Sequence, residues 1–156
     1  MRITLIENGK TSDLFIGEGV EQFRERVVKY VPFKIETIPD LENAKNMTMK
    51  EVQDQEGSLI LKRVKPGDYL VLLDERGDQH DSISFAKYLN SWEGRVNHIQ
   101  FVIGGPYGFS EKVYDRADTR LSLSKLTFSH QLVRVIFMEQ LYRAFTIIKG
   151  EPYHHT

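Results

Sequence analysis

The chain is 156 residues long, enough to bury one sizeable core and too short for two independent ones. It has no cysteine, which excludes disulfides, thiolate metal sites and cysteine nucleophiles. The formal net charge is −1, so the chain as a whole is no electrostatic binder of nucleic acid and any RNA contact has to be local. From Ser110 onward seven Lys/Arg face five Asp/Glu, a mild excess that favours the C-terminal half for such a contact. No apolar run approaches the roughly 20 residues of a membrane span. The first seven residues are too few for a secretory core. A soluble, cytoplasmic protein is expected.

Residues 2–6 are short and β-rich, and predict a first strand. After a Gly-containing loop, Val20, Phe23, Val27, Tyr30 and Val31 recur at helical spacing with charges elsewhere on the circle. Residues 33–38 largely alternate and stop at Pro39, a second strand. Thr48 and Glu51 form a capping box for a second helix, which Gly57 weakens in its middle. Residues 69–73 are a continuous apolar run, suited to a strand buried on both faces of a parallel sheet. The charged Asp74, Glu75, Arg76 and Gly77 predict a turn at its end. Phe85, Tyr88, Leu89 and Trp92 mark a third helix, capped near Asp81 or Ser82. Residues 98–103 are another strand, and Ser110 caps a short helix through Ala117. A last strand is expected over 119–123, and a long helix over 129–148 is closed by Gly150 and Pro152. Strands and helices alternate throughout, so the expected fold is α/β: a mostly parallel sheet with helices on both faces. Without a linker or a shift in composition, residues 1–156 are expected to form one domain.

Ligands of open α/β sheets bind outside the carboxyl ends of the strands. Three segments fall there: the turn after Leu73, the loop from Gly104 to Gly108, and the stretch after Leu123. Gly104 and Gly105 let a ligand approach the backbone. Their G-G-x-x-G spacing is not the dinucleotide fingerprint, and the lysine of a phosphate-binding loop is missing. After Leu123, backbone groups and the hydroxyls of Ser124 and Thr127 can pair with a polar ligand; Thr127 and Ser129 can equally just start the next helix. The long helix is apolar around nearly its whole circumference, with Phe137 and Leu141 among those positions. Such a helix needs cover on two sides, and a second subunit in a closed dimer is expected to supply one. Five histidines include no metal-binding spacing. His154 and His155 are adjacent, which is poor ligand geometry, so no metal is expected. The residues themselves name no reaction.

Three segments read together resemble one family: FVIGGPYG at 101–108, LSLSKLTFSHQLVRV at 121–135, and EQLYRAF at 139–145 with its ending GEPYH at 150–154. This looks like the ribosomal large-subunit pseudouridine N3-methyltransferases of the SPOUT class. The likeness covers essentially the whole chain, and its specific part is the C-terminal half. It implies a SPOUT fold with a C-terminal trefoil knot, a homodimer, and S-adenosylmethionine as methyl donor. It places the donor against Leu73, Gly104, Gly105 and the loop of Leu123, Ser124, Lys125, Leu126, Thr127 and Phe128. It implies a pseudouridine in a 23S rRNA hairpin loop, within the assembled ribosome, as substrate. A prebuilt ribosomal surface also accounts for the absence of bulk basic charge. For the acceptor end of the site the resemblance points to Arg143, Tyr153 and His154. Arg143 binds phosphate or a base edge, Tyr153 stacks or hydrogen-bonds, and the imidazole of His154 suits proton transfer. The alternatives are a SPOUT enzyme for another RNA, such as tRNA, and a non-catalytic ribosome-binding protein.

Overall fold

Five strands alternate with five helices in the computed structural model, which describes residues 1–155. In order they are β1 (Arg2–Asn8), α1 (Leu14–Val27), β2 (Phe33–Ile38), α2 (Met49–Leu61), β3 (Tyr69–Gln79), α3 (Ser82–Ser91), β4 (His98–Ile103), α4 (Glu111–Arg116), β5 (Thr119–Ser122) and α5 (Leu132–Ile148). All strands run parallel in the order β2-β1-β4-β3-β5. The expected α/β architecture is what is found.

The pleat sorts the core. Alternate strand residues point to opposite faces, so Ile3, Leu5, Val71, Ile99 and Phe101 join one apolar cluster with Phe137 and Leu141 of α5. Their neighbours Ile6, Leu70, Leu72 and Val102 join the other, with Ile60 of α2 and Val113 of α4. Every residue of β4 is buried, as a central parallel strand requires. The rings of Phe101 and Phe137 are both fully buried and stand 4.9 Å apart. Burying side chains of this size is worth about 1.5–3 kcal/mol each, and this contact ties α5 to the middle of the sheet.

Three helix starts use the expected caps. The amides of Glu51, Ser84 and Val113 donate to the side chains of Thr48, Asp81 and Ser110 at 3.1, 2.7 and 3.4 Å. Gly57, the weak point of α2, is buried where a Cβ would come within 3.1 Å of Val113. The close approach of α2 to α4 explains the glycine.

Besides β1 running two residues past the expected Ile6, four expectations change. α1 ends at Val27, so Tyr30 and Val31 lie in the turn that follows. α5 starts at Leu132, although Ser129 still caps it by accepting the Leu132 amide at 3.0 Å. The charged segment after Leu73 is no turn: β3 runs on to Gln79, and its pairing with β5 slips, Leu73 and Asp78 both facing Leu121. Asp74 to Gly77 thus bulge from the strand. Finally, α1 and α3 pack on α5, and Phe137 and Leu141 are fully buried within the chain. Their burial calls for no second subunit. The large apolar side chains left exposed include Leu14, Phe15, Leu126 and Leu132.

Candidate functional site

A cleft of about 500 Å3 opens where the carboxyl ends of β3, β4 and β5 meet. The β3 bulge forms one wall, the Gly104–Phe109 turn a second, and the loop from Leu123 to His130 a third. Eight of the expected donor-binding residues line it: Leu73, Gly104, Gly105, Leu123, Ser124, Leu126, Thr127 and Phe128. Lys125 is the exception; it is exposed and outside the lining.

Each wall is held by its own polar contacts. The amide of Leu126 donates to Ser124 Oγ at 3.0 Å, and Ser122 Oγ donates to the Ser124 carbonyl at 2.9 Å, so the loop after β5 is internally folded. Thr127 Oγ1 donates to Glu75 Oε2 at 2.6 Å, linking that loop to the bulge. The Tyr114 hydroxyl donates to Asp74 at 2.8 Å. Burial, reinforced by that carboxylate, pushes the Tyr114 pKa above the ordinary phenol range. The Gly105–Gly108 turn closes on itself at 3.1 Å, and Gln53 of α2 donates to the Tyr107 carbonyl at 2.6 Å. A Cβ on Gly105 would come within 2.7 Å of both Glu56 carboxylate oxygens. That glycine is explained by what lies behind the loop.

Beneath the cleft sits Arg134, completely buried in the first turn of α5. Its guanidinium donates to the carbonyls of His130, Asn8 and Gly9 at 3.1, 2.7 and 3.0 Å and to Thr11 Oγ1 at 2.9 Å. It therefore staples the end of β1 to the end of the cleft loop. Glu7 stands 3.4 Å away, buried, with Oε2 unpartnered. Burial raises the Glu7 pKa, opposed by the Arg134 charge and by hydrogen bonds from Thr37 and Thr11.

Arg143, Tyr153 and His154 do come together, but not at the cleft. They gather around Glu139 near the middle of α5. Glu139 Oε1 accepts from Arg143 Nε at 3.1 Å and from the Tyr153 hydroxyl at 3.1 Å. The guanidinium lies 4.7 Å over the Tyr153 ring, and Arg143 Nη1 is 3.1 Å from His154 Nδ1. Burial, then the bond to Glu139, raises the Tyr153 pKa. The Tyr30 hydroxyl anchors the tail by donating to Glu151 at 2.6 Å, and its pKa is pushed up to about 12 by burial and that carboxylate. None of the three tail residues lines the cleft. Val133 does, and Arg143 is ten residues further along α5, roughly 15 Å of helix.

The sequence places Asp74, Glu75, Arg76 and Tyr107 in segments at the ligand end without giving them a contact, and it gives no sign of Tyr114 and His130, which also face the cleft. Arg134 left a signal, a lone cation in an otherwise apolar first turn. Among the described residues no cluster of His, Asp and Glu is arranged to hold a metal ion, and no helix is long and apolar enough to cross a membrane.

The cleft lies at the strand ends of a parallel sheet, under a loop of backbone and hydroxyl groups. Residues 1–154 match the family described as "Predicted SPOUT methyltransferase". The chain is 50% identical to a protein of Parabacteroides distasonis, 47% to one of Bacteroides thetaiotaomicron and 45% to one of Flavobacterium johnsoniae. Each is named ribosomal RNA large subunit methyltransferase H, and each alignment covers 99% of both chains. The chain belongs to the SPOUT methyltransferase family.

Proposed function

We propose that this chain transfers a methyl group from S-adenosylmethionine to N3 of a pseudouridine in large-subunit ribosomal RNA. It does so as a homodimer, on the assembled ribosome in the cytoplasm, with residues 1–156 acting as one domain. The full-length identity to relatives named for large-subunit rRNA methylation carries this reading.

The residues present fit the donor. Its adenosine is flat and polar at the edge, its sulfur is cationic, and its methionine end carries an ammonium and a carboxylate. Apolar Leu123, Leu126, Phe128 and Val133 offer walls, while Asp74 and Glu75 place carboxylates for the cationic parts. Backbone groups at Leu73, Gly104 and Gly105 and along the Leu123–Phe128 loop meet the polar edges. The bound donor supplies a methyl group already activated by its sulfonium. The protein has to hold the acceptor nitrogen in line with that methyl and exclude water. Arg143 would grip phosphate or a base edge, Tyr153 would stack on the base, and His154 would hydrogen-bond it.

Within one chain the cleft and the tail cluster lie at different levels of α5, the first at its start and the second around Glu139 and Arg143. A twofold partner that brings the tail of one copy to the cleft of the other unites them, and the exposed Leu14, Phe15, Leu126 and Leu132 supply apolar surface for such a contact. Only the self-complementary patch of a closed dimer satisfies both sites at once.

The test is transfer of labelled methyl from S-adenosylmethionine to ribosomes, isolated large subunits and tRNA, all lacking the modification. Label on 23S rRNA of ribosomes is the expected result. Label on tRNA alone redirects the enzyme to another RNA, and no donor binding at all removes the enzymatic reading.

A further inference from the structure

Methylating N3 requires that its proton leave, and the cleft contains one imidazole, engaged by no other side chain, to take it. We infer that His130 is the catalytic base. The inference rests on the methyltransferase reading above and adds the residue that carries the proton.

The titratable groups facing the cleft are Asp74, Glu75 and Arg76 of the β3 bulge, Tyr107 of the glycine turn, Tyr114 of α4 and His130 of the loop before α5. Asp74 is occupied on both oxygens: Oδ2 accepts from Tyr114 and Oδ1 from the Arg76 amide at 3.0 Å. Glu75 Oε2 is held by Thr127, and its other oxygen is the carboxylate oxygen left for the cationic donor. Arg76 is a permanent cation with no acceptor, and phenols keep their proton near neutrality. The His130 imidazole is exposed and makes no hydrogen bond to any described residue. A neutral imidazole carries an unshared pair on one ring nitrogen, the acceptor that a base needs.

The backbone carrying that imidazole is fixed. The His130 carbonyl accepts from the buried Arg134, and the preceding Ser129 caps α5. A base needs this combination of a free ring and an anchored main chain, because it has to stand within hydrogen-bond reach of the proton it removes. His154, the other candidate, is differently placed. Arg143 Nη1 is an obligate donor, so His154 Nδ1 3.1 Å away has to be the acceptor. In the neutral ring Nε2 then carries the hydrogen. His154 is left as a donor toward substrate, with no free lone pair.

In the step, a His130 ring nitrogen takes the proton from N3. The freed pair on N3 bonds the methyl carbon as the carbon–sulfur bond breaks, and that bond's electrons stay on sulfur as a neutral thioether. The imidazolium then returns its proton to water.

The experiment compares wild type, His130→Ala and His130→Asn on unmodified ribosomes under single turnover, with donor affinity measured separately by calorimetry. His130 is exposed, so both variants are expected to fold, and circular dichroism checks this. The expected result is a rate loss of about 10²- to 10⁴-fold, donor affinity within about twofold of wild type, and partial recovery of His130→Ala by added imidazole. An unchanged rate overturns the assignment. So does a loss of donor binding, or a slow variant that imidazole does not rescue, since both describe a structural role. A wild-type protein that binds donor yet labels no ribosome overturns the rRNA reading itself, which this comparison reports separately.

Discussion

The Thr127 hydroxyl donates to the Glu75 carboxylate at 2.6 Å, joining two walls of the cleft that are 52 residues apart in sequence. Hydrogen bonds to a charged group contribute about 1.5–3 kcal/mol when shielded, and this one is exposed, so a value near the bottom of that range applies. Replacing Thr127 with Val keeps the shape and removes the donor. The expected outcome is donor affinity weaker by up to roughly tenfold, with a melting temperature lower by about 2–4 °C. Calorimetry and a thermal scan check it; an unaltered affinity means the two walls are independent.

Gly105 makes a sharper case, because two explanations of one glycine predict different rescues. A Cβ there would meet both Glu56 oxygens at 2.7 Å. Gly105→Ala is therefore expected to displace the Glu56 carboxylate or push the turn forward, at a cost of about 1 kcal/mol, the low end for overpacking. Shortening the obstacle in a Gly105→Ala/Glu56→Ala double variant is expected to restore most of the stability and the donor affinity. If the glycine serves only to let a ligand reach the backbone, the second substitution restores nothing.

What the sequence reveals and what it hides divide along physical lines. β4 is legible because all six residues are buried and the apolar core Phe101-Val102-Ile103 shows it. β1 is read two residues short because Glu7 and Asn8 are polar, yet both are buried at its carboxyl end. Their partners, Arg134 and the Ile103 carbonyl, are distant in the chain and leave no local pattern. The bulge of Asp74 to Gly77 has the composition of a turn, and only its pairing with β5 distinguishes the two. The cleft loops are legible from strand ends and glycines. The separation of Arg143, Tyr153 and His154 from the cleft is not, because it depends on where each end of α5 packs.

Glu7 gives the pH dependence. Its pKa is raised in the folded protein, chiefly by burial, so the folded state holds the proton more tightly than the unfolded one. Stability from this group is present in acid, below the ordinary glutamate range, and is lost as pH rises through the raised folded value. Wild type is therefore expected to lose stability relative to Glu7→Gln as pH increases from the glutamate range toward neutrality. Urea unfolding of both proteins across that interval measures it, and a difference that is flat or of opposite slope means Arg134 keeps Glu7 ionised throughout. Removing Arg134 itself is a larger insult. Arg134→Met strips the donors from three main-chain carbonyls and is expected to cost about 3–5 kcal/mol, whereas Arg134→Lys keeps the charge and loses part of the set.

The dimer proposal has a test that no single variant supplies. If the tail of one copy completes the cleft of the other, a variant defective in the cleft and one defective in the tail repair each other. Gly105→Val disables the cleft and Arg143→Ala disables the tail, and each alone is expected to be nearly inactive. In a mixed dimer, one site combines both faults and the other combines an intact cleft with an intact tail. With random pairing, half of the dimers are mixed and each has one good site, so activity is expected to return to about a quarter of the wild-type level. Sites contained within one chain predict no recovery, because every cleft would keep its own fault or its own damaged tail. Sedimentation of the mixture separates the remaining cases: recovery absent with dimers present places each site within one chain, and recovery absent with monomers only removes the dimer.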